Sequence, residues 1–119
     1  MKNIVILRCL HSNDVCTGAG CLQAFNTYSG AFRCYGGEEL RLVAFFACSG
    51  CGDVTFNNQK GLEEKLNRIV ALKPDAVHIG VCTRIRDKVV GIKHECGPIT
   101  EIAGYLADKG IQVVRGTHA

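Results

Sequence analysis

The sequence predicts an α/β domain: a small three-layer parallel sheet of about four strands, flavodoxin-like or Rossmann-like, with strand order 2-1-3-4. Three observations predict it. Four short apolar runs are close to continuous rather than alternating, as in a sheet covered on both faces. Helical patterns fall between them, and the strand–helix alternation extends along the whole chain. Right-handed crossovers then make neighbouring strands parallel. At 119 residues the chain is long enough for one hydrophobic core and too short for two, so residues 1–119 are expected to form a single domain.

The first apolar run is Ile4–Leu7, β-branched and ended by Arg8. A short helix is expected from about Gly18, carrying Leu22 and Phe25. Leu40–Ala47 is the second strand, and Leu62, Leu66, Ile69 and Val70 then recur on one helical face. Asn57 or Asn58 is available to cap that helix and Pro74 to end it. Ala76–Val81 is the third strand, followed by a long loop that carries Arg84 and Arg86. Ile99, Ile102, Ala103 and Leu106 repeat the helical spacing, with Pro98 suited to the first helical position and Gly110 to the stop. Ile111–Val114 is the fourth strand.

Composition narrows the function. Hydrophobic residues make up 47% of the chain, charged residues 21%, and the net charge of +3 comes from scattered basic residues. No basic cluster points to nucleic acid. "MKNIVILRC" has four apolar residues before Arg8, too few for a signal peptide, and no run reaches membrane-spanning length, so a cytoplasmic location is expected. Eight cysteines, at 9, 16, 21, 34, 48, 51, 82 and 96, are many for a reducing compartment. There, metal binding or redox chemistry outweighs a disulfide framework.

The predicted topology sorts these thiols. Ligands of a parallel sheet bind at the carboxyl ends of its strands. Cys9 follows the first strand, Cys48 and Cys51 the second, and Cys82 the third, while the fourth leads to His118. Cys16 and Cys21 precede or open the first helix, and Cys96 stands next to the last one with His94 close by. Strands about 4.8 Å apart would bring thiols on three adjacent strands within reach of one another. Cys48, Cys51, Cys9 and Cys82 are therefore the principal candidate ligands, with Cys16, Cys21, Cys96, His94 and His118 as secondary ones and His11 at the same edge. Four thiolates, or thiolates with imidazoles, suit zinc or an iron–sulfur cluster. Cys34, in "SGAFRCYGG", is expected at the opposite edge and outside the ligand set. His78, inside a strand, reads as a hydrogen-bonded core histidine, and the charges of "GGEEL" and "LEEKLNR" as solvent faces and helix pairs.

Two other chemistries fit less well. Cys48 and Cys51 form a Cys-x-x-Cys pair, so a thiol–disulfide oxidoreductase with Cys48 attacking and Cys51 resolving is the alternative reading. Against it, the following "GDVTFNNQKGLEE" puts the helix several residues too late for a thioredoxin-type couple. Cys9 after the first strand is also placed like the nucleophile of a low-molecular-weight tyrosine phosphatase. The arginine such a site needs six residues on is here Val15, which removes the anion clamp.

Across most of the chain, "CTGAGC" (16–21), "CSGC" (48–51), "AVHIGVC" (76–82), "HEC" (94–96) and "GIQVVRGTH" (110–118) resemble the CGGC-domain family. In the eponymous motif, Ser49 stands where the family name has glycine, and both thiols remain. The resemblance implies a metal-binding role built on cysteines and histidines, with zinc as the suggested metal. A carrier or sensor of a metal ion or cluster is the function expected, with no nucleic-acid or membrane partner.

Overall fold

The sheet forms as its residues require, with four parallel strands in the order 2-1-3-4. In a computed structural model that describes residues 1–10, 16–48, 59–80, 84–86, 93–95 and 97–118, strand β1 is Lys2–Arg8 and β2 is Leu40–Ala47. Strand β3 is Ala76–Ile79, and β4 (Arg84–Arg86) and β5 (Lys93–Glu95) form a separate antiparallel pair. The fourth strand of the main sheet is β6, Gln112–Arg115, and the spatial order is β2-β1-β3-β6. Helices α1 (Ala19–Thr27), α2 (Gln59–Ala71) and α3 (Gly97–Asp108) cover the two faces.

The near-continuous apolar runs are explained by burial on both sides. From β1, Val5 and Leu7 face the layer of α2 and α3, with Leu66, Ile69, Ile99, Ile102 and Leu106. Ile4 and Ile6 face the opposite layer, with Cys21 and Ala24 of α1 and with Phe32. Alternate residues of one strand thus feed two cores.

Strand β2 breaks this alternation once. Ile4 pairs with Leu42 but Val5 pairs with Ala44, so one extra residue is inserted in β2. Leu40 and Leu42 pack on the α1 face, Val43 and Ala44 both pack on the α2/α3 face, and beyond them Phe45 returns to the α1 face and Phe46 to the α2/α3 face. The bulge exchanges the faces of every residue that follows it.

Several expectations shift in detail. Strand β1 runs further at both ends than Ile4–Leu7, and β6 starts one residue later than Ile111, whose side chain is buried ahead of the strand. Val81, expected to end the third strand, and the cap candidates Asn57 and Asn58 lie outside the described residues. Helix α3 starts at Gly97, making Pro98 its second residue, and ends before Gly110, at φ +84°. The backbone N–H of Ile111 then closes onto the Leu106 carbonyl at 3.2 Å.

On α1, Cys21 and Ala24 are buried while Leu22 is exposed. The buried face is therefore set by Cys21, Ala24 and Phe25 rather than by Leu22. The expected loop after the third strand carries the β4–β5 pair, with Ile85 opposite His94. Three-residue polar strands contain too few positions to show a period in the sequence.

Gly18 caps α1 at φ +79°, and a Cβ there would meet Phe45 Cζ at 2.9 Å. A glycine is needed at this turn for backbone conformation and for space. Among the described residues, no helix is long and apolar enough to cross a membrane.

Candidate thiol site at the carboxyl edge of the sheet

Strands β1 and β2 end together, with Arg8 paired to Ala47, so Cys9 and Cys48 are the next residue on each strand. The Cys48 N–H donates to the Arg8 carbonyl at 3.1 Å, extending the ladder by one bond. The Cys48 side chain is 3% exposed and lies in the α2/α3 core. Its Sγ accepts the backbone N–H of Leu10 at 3.4 Å, which binds the second strand's thiol to the exit of the first.

A cation assigned by the charge pattern to the solvent face stands instead at the end of β2. Lys65 of α2 donates from Nζ to the carbonyl of Ala47, the residue before Cys48, at 2.8 Å. Its neighbours in "LEEKLNR" behave as expected, Glu64 and Arg68 forming an exposed i,i+4 pair. Lys65 differs because it lies on the buried helical face, three residues after Leu62 and one before Leu66. That spacing was the available signal. A lysine there covers apolar surface with its stem and brings its ammonium to the strand end.

A further carboxyl-edge thiol lies on the far side of the sheet. Cys21, the third residue of α1, is 4% exposed and packs in the α1 core. Its Sγ donates to Thr117 Oγ1 at 3.3 Å and lies 3.7 Å from His118 Nδ1. Thr117 Oγ1 is in turn 3.2 Å from the same imidazole nitrogen. Thr117 is fully buried, and its carbonyl accepts the Ala31 N–H at 2.8 Å. Gly30, at φ +57°, permits that approach, since a Cβ would collide with the Thr117 carbonyl oxygen. His118 is exposed and lies against Gly20, where a Cβ would meet its ring at 3.3 Å. Thr117 went unnoticed in the sequence, where a threonine next to a histidine carries no signal of its own.

Of the remaining candidates, Cys16 is half-buried just ahead of the Gly18 cap. Cys51, Cys82, Cys96 and His11 lie outside the described residues, as does the His94 side chain, although the His94 backbone is paired in β5. Cys34 is exposed within the 3-10 turn Gly30–Tyr35. That turn, rather than α1 itself, carries the chain from Thr117 at the carboxyl edge back toward the start of β1, where the Lys2 N–H bonds to Glu39. Among the described residues, no three Cys, His, Asp or Glu converge as a group able to hold a metal ion.

His78 is fully buried, as a core histidine should be. Its Nδ1 lies 2.9 Å from the Gly116 carbonyl, which only accepts, so Nδ1 carries the proton. Nε2 then accepts the Tyr35 hydroxyl at 2.7 Å. Phe32 stacks on the ring at 4.3 Å. Burial lowers the His78 pKa, and the bond to Gly116 opposes part of that shift. Tyr35 is pushed up to about 12, chiefly by burial and then by Cys34 beside it.

Comparison with curated proteins and with solved structures gives no match. The family comparison does: the model of the CGGC domain matches residues 3–118, nearly the whole chain, so the protein belongs to the CGGC domain family.

Proposed function

We propose that the protein is a metal-binding domain whose site is built from thiolates at the carboxyl edge of the sheet, on the α2/α3 face. The observation that carries this reading is the Cys48 thiol, 3% exposed, with its sulfur 3.4 Å from the Leu10 amide. Cys9 stands at the equivalent position on the neighbouring strand. Family membership supports metal binding in general, without naming a ligand or a metal.

The donor chemistry fits. A coordinating thiol must be deprotonated, and the Leu10 amide is a donor already aimed at the Cys48 sulfur, with Lys65 holding the carbonyl just before it. Cys48 and Cys9 would hold the metal together with Cys51 and Cys82, a four-thiolate set suited to zinc or an iron–sulfur cluster. Bound there, a metal ion or cluster would be stored, sensed or handed on. Lys65 would offset the negative charge of the thiolates, and Leu10 would orient the Cys48 sulfur. A cytoplasmic, reducing setting would keep the thiols available.

Elemental analysis with an absorption spectrum, on untagged protein purified without oxygen, tests this. About one metal equivalent per chain is expected for one four-ligand site, and Cys48→Ser should remove most of it. Colourless protein with zinc identifies an ion site, and brown protein with iron and acid-labile sulfide a cluster. Metal-free protein with titratable thiols would overturn the proposal in favour of disulfide exchange by Cys48 and Cys51.

A further inference from the structure

The α1 face holds a second thiol that the metal reading does not use. Cys21 Sγ, Thr117 Oγ1 and His118 Nδ1 lie within 3.2 to 3.7 Å of one another, although Cys21 is 97 residues from His118 in sequence. Such a triangle has the elements of an activated nucleophile: a thiol, a base within reach, and a third group that fixes both. Thr117 is fully buried and held by the Ala31 amide, so its hydroxyl is a fixed point. The His118 ring is held over Gly20, where any side chain would crowd it.

A proton path through the cluster exists in the His118 tautomer protonated at Nε2, where Nδ1 accepts. The Cys21 S–H donates to Thr117 Oγ1. When the Thr117 hydroxyl in turn donates to Nδ1, the thiol proton has a two-step path to His118. The imidazolium so formed stands beside a thiolate on the first turn of α1, where the helix dipole also favours negative charge. His118 is exposed while Cys21 is not, so an incoming molecule meets the imidazole first.

We propose that Cys21, Thr117 and His118 form a thiol-exchange site on the α1 face, distinct from the Cys48 thiols, that reacts with small uncharged disulfides. Cys21 gives its proton to His118 and its sulfur attacks one sulfur of the disulfide. The Cys21–S bond forms as the S–S bond breaks, and the departing thiolate takes the proton from His118. The products are a mixed disulfide on Cys21 and one free small thiol, with no net oxidation. Disulfides suit the site because the reaction needs only a thiolate and a proton for the leaving group. The shielded sulfur restricts entry to small reagents.

The test uses the intact protein, 2-hydroxyethyl disulfide as probe, and peptide fragmentation by mass spectrometry to locate the adduct. Cys34 is the internal reference, because it is exposed and apart from the cluster. The expected result is that Cys21 forms its mixed disulfide at least about tenfold faster than Cys34, and that His118→Gln removes that advantage without changing the Cys34 rate. Faster reaction at Cys34 in the unaltered protein overturns the proposal without any variant, and so does a His118→Gln protein in which Cys21 keeps its rate. The proposal does not rest on metal binding: Cys48→Ser, which should empty the metal site, should leave the Cys21 rate intact.

Discussion

The two faces of the sheet reach the same carboxyl edge with different chemistry. On the α2/α3 face, Cys48 is set in a mainly aliphatic core, with the Leu10 amide on its sulfur and Lys65 bound to the carbonyl of the preceding residue. On the α1 face, Cys21 has a hydroxyl and an imidazole, and the layer behind it is aromatic, with Phe32 stacked on His78 and edge-on to Phe25. The first environment gives its thiol an amide donor, which suits ligation. The second gives it a base. A single layer of strands lets one short chain hold both without mixing them.

The largest effect should come from cutting the aromatic layer. Phe32→Ala is expected to cost about 4 kcal/mol, because a fully buried ring is lost and its contacts with Ile4, Ile6 and His78 leave a cavity. Urea unfolding measures this. Metal content that survives in the folded fraction would show that the two faces are independent, and its disappearance would break the comparison.

Gly30→Ala is next, at about 3 kcal/mol, combining a left-handed backbone with a collision at the Thr117 carbonyl. It should also slow exchange at Cys21, since Thr117 is the atom that moves. A wild-type unfolding midpoint would mean that the approach of Gly30 to Thr117 is not as close as described.

The α1 face should also be the acid-sensitive one. The His78 pKa is lowered in the folded protein, chiefly by burial, so the unfolded chain binds the proton first as pH falls. The stability tied to neutral His78 is full above about pH 6.5 and is lost progressively below it, by at most about 1.4 kcal/mol per pH unit. Unfolding midpoints at several pH values check the sign, and His78→Gln should flatten the dependence. Constant stability down to pH 5 would contradict it.

On the other face, Lys65→Met keeps the apolar stem and removes the charge beside Ala47. Metal affinity should fall by roughly tenfold, as for other residues that support a metal's ligands, with little change in stability. The smallest effect belongs to Cys34→Ser: unchanged metal content and a stability within about 0.5 kcal/mol of the parent, since Cys34 is exposed. A large loss of metal would return Cys34 to the ligand set.

Much of this was readable from local pattern. Ile4–Leu7, the helical spacing of Leu62, Leu66 and Ile69, and that of Ile99, Ile102 and Leu106 each mark a buried stretch, because burial on both faces or along one stripe leaves a direct trace in residue type. Parallel strands followed from right-handed crossovers, the order 2-1-3-4 came from the flavodoxin-like fold class, and the carboxyl-edge placement of Cys9, Cys48, Cys21 and His118 followed from the parallel sheet. The pairings within that edge left no such trace. Lys65 looks like any surface lysine until α2 docks, and Thr117 acquires a partner only when β6 and α1 meet 96 residues apart.

What the sequence determined by itself was which segments form the main sheet, that those strands are parallel, and that Cys9, Cys21 and Cys48 stand at their carboxyl edge. Tertiary structure alone decided which face each thiol serves. Had β2 kept its alternation, Cys48 would share the face of Leu40 and Leu42 and lie on the same side as Cys21. The extra residue at Val43–Ala44 turns it to the other side. In "LRLVAFFA" every position is apolar apart from Arg41, so both registers bury similar surface and the pattern cannot choose between them. The choice is made by packing, because β2 must match β1 and two different helical layers at once.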